Sequence, residues 1–168
     1  ASRPAADRRP LAMNAQLSLN LRLPDGSSFD NFFPGRNPEA LAAVRALCQG
    51  ISDGRAVAAL YCWGMASSGR THLLQAACRQ VQVAGRTPYY LPLREAATLS
   101  PTVVEGAEHA ALVCLDDVEA IAGQTQWEQA LFSLCERLRA EGGVLLTAAA
   151  QAPPHLGLRL PDLVSRLP

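Results

Sequence analysis

The chain has 168 residues, 49% of them hydrophobic, with 15 Lys and Arg balanced by 15 Asp and Glu. That length carries one domain with a real core and excludes two comfortable ones, while the apolar share excludes a disordered chain. The balanced charge excludes a global basic field for tracking phosphate backbones, so no direct sequence-specific DNA binding is expected.

Residues 1–14 are polar and Pro-rich and read as a flexible N-terminal tail without the continuous apolar stretch of a signal peptide. Residues 15–24 form an extended segment. In it Gln16-Leu17-Ser18-Leu19-Asn20-Leu21-Arg22-Leu23 alternates polar and apolar, and a turn at Pro24-Asp25-Gly26-Ser27 closes it. Residues 25–168 then form one α/β core. Asn37-Pro38-Glu39 supplies an N-cap, a proline in the first helical position and an acid in the first turn, predicting a helix from Pro38 to about Cys48 that Gly50 ends.

The apolar run Ala56–Trp63 predicts a buried strand that meets Gly64, with a helix from about Arg70 to Val83 after a Gly-rich loop. Tyr89-Tyr90-Leu91 predicts a second strand, and Ala110–Leu115 a third that ends on Asp116-Asp117. Trp127, Ala130, Leu131, Leu134, Cys135 and Leu138 fall at helical spacing, up to Glu141-Gly142-Gly143. Val144–Ala148 predicts a fourth strand, and Asp162–Arg166 a short helix or turn. Strands alternating with helices imply a parallel sheet covered on both faces.

Gly64-Met65-Ala66-Ser67-Ser68-Gly69-Arg70-Thr71 follows a strand and opens a helix. It matches the phosphate-binding pattern G-x-x-x-x-G-K-[ST] at every fixed place but one, where Arg70 replaces lysine. Glycines let the backbone curl its N–H groups toward phosphate oxygens, and the helix N-terminus adds positive potential. Gly64, Ser67, Ser68, Gly69, Arg70, Thr71 and His72 are the candidate nucleotide contacts, with the Thr71 hydroxyl offered to Mg²⁺. Arg70 keeps the charge, but its planar fork does not replace an ammonium.

Leu112-Val113-Cys114-Leu115-Asp116-Asp117 is an apolar strand ending in two acids, the Walker B form. Asp116 is placed to hold Mg²⁺ and Asp117 to polarise a water. Loop and acidic strand together point to binding of ADP or ATP. Thr147 is a candidate sensor of the γ-phosphate at the end of the fourth strand, an ordinary strand-end threonine being the alternative. Arg166 is either a solvated arginine or a finger offered to a neighbouring subunit, and nothing local decides. His72, His109 and His155 share no metal spacing.

Phe29-Asp30-Asn31-Phe32-Phe33-Pro34-Gly35-Arg36-Asn37 ahead of a helix, then the P-loop with His72-Leu73-Leu74-Gln75-Ala76, is similar to the ATPase domain of the DnaA-related AAA+ family. Four features resemble its short regulatory branch, Hda. They are Arg70 in the loop, Tyr89-Tyr90-Leu91-Pro92-Leu93, the run Leu158–Leu167, and Gln16–Leu21 near the N-terminus. The resemblance implies a P-loop AAA+ core whose last strand and helical lid lie outside this chain. It implies that Gln16, Leu17, Leu19 and Leu21 dock into the DNA polymerase sliding clamp. By residues alone that segment is an extended peptide with three apolar anchors, or an edge strand. It also assigns Arg166 the role of a finger, supplied in trans to ATP on DnaA. The implied function is regulatory inactivation of DnaA with little intrinsic ATPase, and an autonomous initiator or helicase-loader ATPase is the alternative. Self-association is left open.

Five scattered Cys (48, 62, 78, 114, 135) show no zinc spacing and fit a reducing compartment. No run approaches the ~18 apolar residues of a membrane span, so a cytoplasmic protein without membrane contact is expected.

Overall fold

The computed structural model describes residues 26–35, 37–54 and 59–167. The segment with Gln16, Leu17, Leu19 and Leu21, expected to dock on the clamp, and the tail before it lie outside the described residues.

Helix α1, Pro38–Asp53, starts where the cap signal places it: the Asn37 side chain accepts a hydrogen bond from the Ala40 amide. It does not stop at Gly50. Ile51 continues the buried face of Val44, Leu47 and Cys48, and the helix closes on Gly54, whose φ of 69° is left-handed. Burying one more apolar residue offsets the ~0.5–1 kcal/mol a mid-helix glycine loses.

Strand β1, Ala59–Trp63, leads to α2, Arg70–Val83, and then to β2, Pro88–Pro92. A single turn, α3, spans Leu93–Ala96, and two short 3-10 turns precede β3, Leu112–Asp116. A further 3-10 turn covers Val118–Ile121 before α4, Thr125–Glu141. Strand β4 is Leu145–Ala149 and α5 is Pro161–Arg166. The sequence reading assigned nothing to 93–109, where short turns replace any regular period.

The strands form one parallel sheet in the order β1-β4-β3-β2. The central strands β3 and β4 are buried along their whole length, which is why they read as continuous apolar runs. Side-chain alternation sorts them between two cores. Leu112, Cys114, Leu146 and Ala148 pack toward α1 and α2, whereas Val113, Leu115, Leu145 and Ala149 pack toward α4 and α5. The register sets Trp63 beside Ala149 and Pro92 beside Asp116, so the carboxyl ends of all four strands share one edge. No described helix is long and apolar enough to cross a membrane.

Candidate nucleotide site

The Gly-rich loop leaves β1 at that edge. The Gly64 amide donates to the Ala149 carbonyl at 3.3 Å, pinning the start of the loop to β4. The Ser68 amide donates to the Met65 carbonyl, and Ser67 and Gly69 are both left-handed, at φ 63° and 85°. Such turns curl successive N–H groups toward one point and form an anion-binding concavity, here at the N-terminus of the 14-residue α2. Gly69 is required twice over. Its φ disfavours any side chain, and a Cβ there would lie 2.6 Å from the Phe32 ring.

Asp116 closes the site from β3. It is 2% exposed. Its Oδ2 accepts from the Tyr90 hydroxyl at 3.0 Å and its Oδ1 from the Asp117 amide at 3.0 Å. The Thr71 side chain lies near enough to Asp116 to favour its charged form. Burial pushes the Asp116 carboxyl above its ordinary value, against the opposing influence of Thr71 and Tyr90. A cation beside this carboxylate would relieve that desolvation. Mg²⁺ is held through one or two carboxylates with waters and phosphate oxygens, so a buried Asp with an adjacent Thr hydroxyl fits it.

Two charged groups, Arg70 expected on phosphate and Asp117 expected on a water, are engaged elsewhere. Arg70 Nη1 donates to the Gly64 carbonyl at 2.6 Å, so the loop's cation bonds to the loop's own backbone. Asp117, left-handed at φ 54°, accepts from Arg94 Nε at 2.9 Å. His72 faces the N-terminal segment: its ring nitrogen lies 2.8 Å from the Ser28 carbonyl and its ring packs on Phe32. This contact anchors residues 28–32 to α2 and leaves His72 engaged away from any phosphate.

Thr147 does not end its strand, contrary to the sequence reading. It is the middle residue of β4, fully buried, and its hydroxyl donates to the Leu60 carbonyl at 3.4 Å. Its alternation places it on the α4 side with Leu145 and Ala149. The strand continues two residues further because Ala148 and Ala149 still pair with β1. Arg166 ends α5, and its Nε donates to Glu136 on α4 at 2.5 Å. Its partner belongs to α4 and not to the loop or Asp116.

One residue escaped the sequence reading. Glu128 is 1% exposed, and its carboxylate accepts from the amides of Gly123, Arg159 and Leu160 at 2.7–2.8 Å. It ties α4 to the stretch that enters α5. An acid next to Trp127 on an apolar helix face was the available signal. Tyr90 lies in the Tyr89–Leu93 stretch, but its hydrogen bond to Asp116 depends on strand register.

No family model matches the chain. It superposes on AMPPCP-bound DnaA from Aquifex aeolicus with a TM-score of 0.74 at 24% identity, covering 86% of this chain and 48% of that one. Domain III of the Thermotoga maritima replication initiation protein DnaA gives 0.67 at 21%, covering 83% and 62%. The DnaC helicase loader gives 0.64 at 14%, covering 83% and 90%. The chain therefore spans about half the length of the Aquifex DnaA structure. At such identities the likeness is one of fold: the chain shares the fold seen in domain III of DnaA.

Proposed function

We propose that the chain is a clamp-tethered, nucleotide-binding regulator of replication initiation, of the Hda kind, which stimulates hydrolysis of ATP held by DnaA. The observation that supports its nucleotide-binding part is the placing of Thr71 beside Asp116 beneath a left-handed Gly-rich loop. This is the arrangement a Mg²⁺–nucleotide requires, with ADP or ATP cradled by Gly64–Thr71. Bound Mg²⁺ would neutralise charge on the phosphate oxygens. Intrinsic turnover is slow in this account, because Arg70 bonds to Gly64.

Arg166 supplies the finger in trans. Its pair with Glu136 is a partly exposed one, and such pairs contribute only ~0–1 kcal/mol, so a polyphosphate on a partner can displace it. Gln16, Leu17, Leu19 and Leu21 dock on the sliding clamp as an extended peptide. A helicase-loader reading draws on the likeness to DnaC over 90% of that chain's length. It forecasts binding to a replicative helicase instead. The test is hydrolysis of ATP preloaded on DnaA, with DNA-loaded clamp present. The full chain should accelerate it and the double variant Gln16→Ala, Leu17→Ala should not. No acceleration by the unaltered chain would refute the proposal.

A further inference from the structure

Arg94 has no assigned role in the reading above, yet it bonds the one acid placed to orient a water. Strand β2 pairs in register with β3 so that Pro92 lies beside Asp116. The chain turns at once into α3, anchored by the fully buried Leu93. Arg94 follows on the exposed side of that turn, level with the residue after Asp116. Asp117 adopts its left-handed conformation at the same point. The two conditions bring Arg94 Nε to 2.9 Å from Asp117 Oδ2, with Arg94 Nη2 at 4.0 Å from Glu119.

We infer that Arg94 is a positioning residue that restrains Asp117, withholding its carboxylate from the water that would attack a bound nucleotide. The inference rests on the nucleotide-binding reading. A carboxylate that orients water does so through an unoccupied oxygen and its full negative charge. The guanidinium engages one oxygen and compensates that charge. The pair is open to solvent on its arginine side, with the Arg94 side chain 68% and that of Asp117 20% exposed, so salt weakens it. A merely decorative surface pair would have no bearing on chemistry. This one shares its acid with the site.

Arg94→Gln in the full chain should bind ADP as the unaltered protein does and hydrolyse ATP faster, on the order of tenfold. That is part of the ~10²–10⁴ a positioned acid–base group contributes. The gain should vanish when Asp117→Asn is added, and Arg94→Lys should recover part of the restraint. Salt should raise hydrolysis by the unaltered protein and leave Arg94→Gln unmoved. A second readout needs no nucleotide. With Arg94 neutralised, Asp116 and Asp117 lose a compensating charge, so Mn²⁺ followed by paramagnetic resonance should bind several-fold tighter to Arg94→Gln. Unchanged hydrolysis with ADP binding intact overturns the inference, as does a gain that survives Asp117→Asn. Failure of the unaltered chain to bind ADP strikes the nucleotide reading instead. The Mn²⁺ comparison then still decides the pair, and equal affinities would overturn it.

Discussion

Thr71 and Asp116 come from segments about 45 residues apart and meet at the carboxyl edge of the sheet, whereas Arg166 ends a six-residue helix and bonds Glu136 on its neighbour. The first arrangement is assembled by the core itself. Asp116 is buried, and strand register sets its distance from Tyr90. The second rests on the surface and is fastened by one partly exposed pair. A site that binds the chain's own ligand needs preorganisation. A finger for another subunit, the role proposed for Arg166, needs only to be presented, and the sheet contributes nothing to it directly. Glu128 links α4 to the second region, since it holds the backbone of Arg159 and Leu160 just ahead of α5.

The largest expected effect falls on the presented residue. Arg166→Ala should lose most of the ~10³–10⁵ that an arginine finger contributes to hydrolysis of DnaA-bound ATP. Its own nucleotide binding should stay intact. Stimulation near that of the unaltered protein would show that Arg166 merely decorates α5.

Glu128→Ala strikes the link. Hydrogen bonds to a charged group are worth ~1.5–3 kcal/mol each, and three part-buried amides would lose their acceptor. A loss of about 3 kcal/mol or more is expected in denaturant unfolding, with stimulation of DnaA falling further than nucleotide affinity. Equal losses in both would mean that Glu128 holds the whole core and not the approach to α5.

Asp116 gives a pH test of the preorganised side. Burial holds its carboxyl above the ordinary value, so the native state keeps the proton to higher pH than the unfolded chain does. Its contribution to stability is full below about pH 4, the unfolded value, and is lost as pH rises through the native one. Asp116→Asn stays neutral throughout. In Mg²⁺-free, nucleotide-free buffer it should raise Tm at pH 7, with the advantage fading toward pH 4. A lower Tm at pH 7 would show that the charged carboxylate stabilises the empty site.

The smallest effect concerns Thr147. Thr147→Val removes a single long hydrogen bond to Leu60, so stability should change by about 1 kcal/mol or less and ADP affinity should not move. A loss of nucleotide-dependent behaviour would restore Thr147 as a sensor.

Much of this architecture was legible beforehand. The Asn37 cap, the apolar β3 and β4, and the α4 periodicity each carry a local signal that the fold respects. The loop and Asp116 were legible for the same reason, because turn, charge and strand end are adjacent in sequence. What was not legible depends on register or on distance. Thr147 looked terminal because strand ends blur in an alanine run, and only pairing with β1 places it mid-strand. The bonds of Arg70 to Gly64 and Arg94 to Asp117 depend on side-chain directions that sequence spacing leaves undetermined. Gly50 carried a stop signal that burial of Ile51 overrode.

Calorimetry of ADP with Mg²⁺ on the full chain, beside Asp116→Asn and Thr71→Ala, probes the central claim most directly. The account predicts saturable binding by the unaltered protein that weakens sharply in both variants and on removal of Mg²⁺. Absence of binding at millimolar nucleotide, or equal affinity in all three proteins, would contradict it.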